Sequence, residues 1–156
     1  MNDPLPTALW LVSVLSTAVL YGTDVFFAVV GRDALAKSST ACLADVVARL
    51  HEVADERMPV FGATALASTF AFGLSLGLPT ASGLLVLVTL AALLSQLGLY
   101  LAVARPVNRR MVQAVQTGQA LPDARALQAR WDSVIVARAL SLTLALVTLL
   151  AAGVLR

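Results

Sequence analysis

"VLYGTDVFFAVVGR", residues 19–32, closes an apolar run that begins near Thr7 and is long enough to cross a lipid bilayer, yet it carries Asp24. A carboxylate facing hydrocarbon is expensive, and in spans such residues turn towards the interior of a bundle and find a partner. Arg32 is the first cation further along this segment. Whether the run is a membrane helix therefore depends on what else in the chain can pair with Asp24.

Composition answers the first half of that question. Of 156 residues, 59% are hydrophobic and 13% charged, well to the apolar side of a soluble domain, so the chain reads as integral membrane. Its length suits one domain, residues 1–156. The net charge of +2 does not point to nucleic acid, because the charges flank apolar runs as topology signals. Cys42 is the only cysteine, which rules out an intrachain disulfide and suits a small packing residue.

Four spans follow: about 7–31, 59–78, 81–103 and 133–155. Each has roughly the ~20 residues that cross a ~30 Å hydrocarbon core. Pro4 and Pro6 suit the start of the first helix, and the absence of Lys or Arg from "MNDPLPT" argues against a cleaved signal peptide. "GLPTASG", residues 77–83, makes the second and third spans a tight antiparallel hairpin. With four crossings, segments 32–58 and 104–132 share one side, which collects nine of the eleven Lys and Arg residues. By the positive-inside rule that side is cytoplasmic and both termini lie outside, as in a multi-pass protein of the plasma (inner) membrane.

Both polar segments carry helical signals. Leu43, Val46, Val47, Leu50 and Val53 recur at helical spacing, so residues 41–58 form an amphipathic juxtamembrane helix. Pro59 is placed to end or kink it, and Pro106 to stop the third span. Pro122 and Asp123 start a helix over 123–132 that continues into the fourth span. The fold class is thus an all-α, antiparallel four-helix membrane bundle with helices extended on the cytoplasmic side.

Arg138, in "SVIVARALSL", is the other ionisable side chain well inside a span. Asp24 lies seven residues before Gly31 and Arg138 seven after Trp131, which puts both at a depth of roughly 10 Å from the same end. Opposite charges at one depth should pair. Two readings stand: an ion pair that fixes helix register, or a pair lining a polar cavity with Tyr21 nearby. His51, the sole histidine, reads as a solvated helix edge, a general base oriented by Asp55 at i+4, or a single axial ligand. Asn108 and Arg109 can bind freed carbonyls or an anion. Trp131 suits an interfacial anchor or an aromatic cavity wall. Beyond this pair the outer half offers almost no polar chemistry.

"ARPVNRRM" (104–111), "ARWDSVIVARALSLTLAL" (129–146), "YGTDVFFAVV" (21–30) and "RLHEVADERMPVFGA" (49–63) together resemble the anthrone-oxygenase-like family of small four-helix membrane proteins. The resemblance implies the same bundle and an O₂-dependent oxidation of a lipophilic polycyclic phenol to a quinone, with no required metal or flavin. It implies His51 or Asp24 as base and Arg138, with Asn108, for the oxyanion; Tyr21, Arg109 and Trp131 would contact substrate. Two other classes remain: a haem-binding membrane redox protein with His51 as axial ligand, and a non-catalytic subunit that binds a lipophilic small molecule. The bilayer is the expected partner, a homo-oligomer stays open, and nucleic acid is not expected.

Overall fold

Residues 4–77 and 79–156 are described in the computed structural model. The order is α1 (Pro4–Phe26), α2 (Arg32–Lys37), α3 (Thr40–Leu76), α4 (Ala81–Leu99), α5 (Arg105–Gln116) and α6 (Ala124–Leu155). A π-helical turn at Phe27–Gly31 joins α1 to α2, and another at Tyr100–Ala104 joins α4 to α5. The chain therefore runs as four rods, Pro4–Lys37, Thr40–Leu76, Ala81–Gln116 and Ala124–Leu155, in an all-α antiparallel bundle. Each rod is long and apolar enough to cross a membrane. At 32 to 37 residues and ~1.5 Å per residue, every rod exceeds a ~30 Å core by more than 15 Å or so.

The connections are short and locally specified. The Ser39 hydroxyl accepts the Cys42 N–H at 3.2 Å and starts α3. Gly77, at φ +80°, makes the turn that ends α3, and the Thr80 hydroxyl caps α4 by accepting the Gly83 N–H at 2.9 Å. Such side chains satisfy amides that a helix start leaves without partners. The last two residues of the second predicted span include Leu78, which lies outside the described residues, as do Met1–Asp3.

Of the two outcomes expected at Pro59, ending the helix is corrected: it lies inside the continuous α3, so the juxtamembrane helix and the second span are one element. Pro106 does not stop the third span either, because it sits in the first turn of α5, directly after the π turn. There the Arg105 N–H reaches back to the Tyr100 carbonyl. A widened turn relieves the clash between a proline ring and the carbonyl four residues back, and a missing N–H is tolerated at a helix start. Local rearrangement thus replaces termination, and all four rods extend past the apolar core rather than two of them.

In the bundle α1 packs on α3 and α6, and α4 packs on α3 and α6. The polar end has its own core of Leu43, Val47, Val107, Met111, Leu127, Trp131 and Ile135. The middle is held by Ala65, Leu93, Leu142 and Ala145, and the far end by Phe72, Val86, Leu149 and Ala152. The far half is not apolar inside, contrary to the sequence expectation. Ser13 bonds Ser68 at 2.9 Å and Thr89 meets Thr148 at 2.8 Å, with Thr17 and Thr69 buried beside them. The Ser13, Ser68, Thr89 and Thr148 hydroxyls also bond the preceding helical turn and need no charge partner, so they blend into apolar runs in the sequence.

Candidate functional site

Asp24 and Arg138 meet as anticipated. The Arg138 Nε donates to Asp24 Oδ2 at 3.1 Å and Nη2 to Oδ1 at 2.8 Å. This is a two-point fork with 3% and 7% of the residues exposed, the geometry in which a guanidinium matches a carboxylate best. The guanidinium also lies over two rings, Tyr100 at 5.7 Å and Trp131 at 5.6 Å. Both ring faces attract the cation, and attraction grows where water is excluded. Gln96 stands beside the carboxylate.

Around this pair the bundle opens into a cavity of about 900 Å³. The sequence-derived candidates Asp24, His51, Asn108, Arg109, Trp131 and Arg138 all line it. Tyr21, one turn before Asp24, does not line it and packs against the Ala65–Leu142 cluster instead. Of the two readings of Trp131, interfacial anchor or cavity wall, its burial fits the wall. It is 5% exposed, edge-on to Phe27 at 5.3 Å and tilted against His51 at 5.7 Å.

His51 is likewise not a solvated edge but 7% exposed. Along α3 the buried stripe is Leu43, Val47, Ala48 and His51, whereas Val46, Leu50 and Val53 are 44 to 48% exposed. The apolar spacing in the sequence mixes two neighbouring faces, and burial follows only one. His51 lies beyond the apolar part of α3, and burial pushes its pKa down to about 4. Asp55 opposes that shift and Arg138 adds to it. The imidazole is thus neutral at physiological pH rather than titrating near 7.

Asp55 serves other groups. Its Oδ1 accepts from the Tyr100 hydroxyl at 2.9 Å and from the Asn108 amide at 3.0 Å. This links α3 to the π turn and to α5, with Gln116 donating to Glu52 at 2.8 Å further out. Tyr100 is the residue that the sequence gives least reason to choose, since it looks like one more aromatic at a span end. Depth offers the only signal, as it lies three residues inside Val103.

Three buried polar atoms on the cavity-lining residues have no hydrogen-bond partner: His51 Nε2, Asn108 Oδ1 and Trp131 Nε1. Leaving such an atom unpaired costs about 1–3 kcal/mol, so a cluster of them marks a place to look for a ligand. One acceptor amide oxygen, one donor indole and one imidazole suit a hydroxylated, largely apolar molecule. No protein-family model, curated protein or solved structure matches the chain.

Proposed function

We propose that this is a multi-pass inner-membrane protein with both termini outside, whose cytoplasmic-side cavity binds a flat lipophilic phenol and oxidises it with O₂. The observation that carries the reading is the convergence of the His51, Asn108 and Trp131 side chains on one largely apolar cavity beside the buried Arg138 cation. For an anthrone-type substrate, His51 takes a proton from the reactive carbon, and the phenolate system spreads the charge. The electron pair forms a C–O bond with O₂, and return of the proton gives a hydroperoxide. Loss of the second C–H proton with cleavage of O–O then yields the carbonyl and water.

In this scheme Asp24 is not the base, because both of its oxygens already accept from the Arg138 guanidinium. Arg138 supplies positive charge near the developing oxyanion while its fork keeps it in place. Asn108 orients the substrate hydroxyl through its free oxygen, and Trp131 forms a ring wall. A haem on His51 is the second reading, favoured by the lone imidazole with its unpartnered Nε2.

The test is O₂ uptake by purified protein in lipid nanodiscs with anthrone as substrate. Arg138→Met should abolish binding in folded protein, and His51→Ala should lower kcat more than KM. Because the neutral imidazole is the active form, kcat/KM should hold through mild acid and fall only as pH approaches about 4. An absence of both anthrone binding and O₂ uptake rules the oxidation out. A Soret band that disappears in His51→Ala moves the assignment to haem.

A further inference from the structure

The cavity is not closed at its sides. Its walls include two stripes on α3, an inner one of Asp55, Met58, Gly62 and Leu66 and an outer one of Glu52, Glu56, Pro59 and Ala63. Opposite them, Leu97 of α4 and Leu101 of the π turn, then Arg105, Arg109 and Gln116 of α5, form the other edge. Pro59, Ala63 and Leu101 are exposed on the molecule's flank as well as lining the cavity. Contacts flank the part of this stretch between Glu56 and Ala63, and on its polar side Glu52 accepts from Gln116 at 2.8 Å. At the polar end Asp55 bonds Tyr100 and Asn108, and near the hairpin Gly73 packs so close to Val86 that a Cβ would come within 2.8 Å of its Cγ1.

From these observations we infer that the gap between α3 and α4 is a lateral portal through which a membrane-dissolved amphiphile reaches the cavity from the bilayer. From Glu56 to Leu66 the cleft runs about 15 Å along the helix at ~1.5 Å per residue. Its rim is charged at one end, with Glu52, Glu56, Arg105 and Arg109, and apolar at the other, with Pro59, Ala63, Leu97 and Leu101. That gradient follows the one from the headgroup region to the hydrocarbon core. It suits a ligand whose hydroxylated ring sits by His51 and Asn108 while an apolar tail or flank lies between Ala63 and Leu97. Gly62 is the threshold. A Cβ there would meet no atom within 4 Å, so the position is open space and not a packing contact. The portal is independent of the oxidation chemistry, but the phenolic head of the ligand rests on the function proposed above.

Trp131 provides the readout, since Trp10 is the only other tryptophan. In a Trp10→Phe background, vesicles of phosphatidylcholine with brominated acyl chains should quench Trp131, although its side chain is buried. Adding Gly62→Leu should remove most of that quenching, while Gly22→Leu, an equally open position that does not line the cavity, should leave it unchanged. Leucine in place of glycine also favours the helix, which keeps both variants folded. Unquenched Trp131 in the parent, or quenching that survives Gly62→Leu, overturns the portal. The second arm uses naphthol loaded into unbrominated vesicles. Slower uptake in Gly62→Leu with an unchanged final binding level supports lateral access, and equal uptake rates overturn it. Absence of naphthol binding in every variant, with Gly62-dependent quenching intact, refutes the phenol reading alone.

Discussion

Asp24 and Arg138 illustrate how a single pair of residues constrains a bundle. Either charge alone would be stranded in an apolar interior, so each is tolerated only because the other is within reach. Neutralising one, as in Asp24→Asn or Arg138→Met, should destabilise by ~3–5 kcal/mol because the survivor is left unpaired. The double variant Asp24→Leu/Arg138→Met should cost much less than the sum of the two. Thermal melting in detergent measures all three, and strict additivity would show that the fork contributes nothing as a pair. The same reasoning separates Asp55 from Asp24. Asp55 bonds two neutral donors, Tyr100 and Asn108, and so positions the cavity wall without being paired to a cation.

At the scale of the helices, glycine shows that context decides the sign of one chemical change. A Cβ on Gly153 of α6 would run into the Trp10 indole of α1, whose Nε1 donates to the Leu149 carbonyl at 3.0 Å. Gly153→Ala should therefore displace the indole and destabilise by about 1–3 kcal/mol. Gly62→Ala, with open space around the new methyl, should stabilise by up to ~1 kcal/mol through helix propensity. Differential melting of the two variants checks the contrast, and a shift of the same sign in both would refute it. Arg125 acts at another joint, where its guanidinium holds the carbonyls of Leu35, Ala36 and Ser38. It closes the end of α2 with a cation, as the helix dipole favours.

For the whole molecule, both polar extensions lie at one end of the bundle, and the exposed thiol of Cys42 sits there. Nine cations in those two segments are the ground on which we propose that this end faces the cytoplasm. A membrane-impermeant maleimide should then leave Cys42 unlabelled in intact cells and label it once the membrane is permeabilised. Labelling from outside would invert the topology and put the cavity on the opposite face. No engineered cysteine is needed, because Cys42 is the only one present.

Hydropathy, charge asymmetry and depth counting were enough to read four antiparallel helices, and the Asp24–Arg138 pair with them. These properties depend on how far a residue lies along its helix, which a sequence states directly. Which way each residue faces depends on helix phase and on neighbours, and that was decided only by packing. His51 and Trp131 turned inward, packed against one another and, for Trp131, against Phe27 of the first π turn, and Tyr21 stayed off the cavity wall although one helical turn from Asp24. The π turn before Pro106 kept the third rod continuous, carrying Asn108 to the Asp55 carboxylate. The cavity itself belongs to no single segment. It is lined jointly by α1, α3, the α4–α5 rod and α6, a property of the assembled helices that no local pattern encodes.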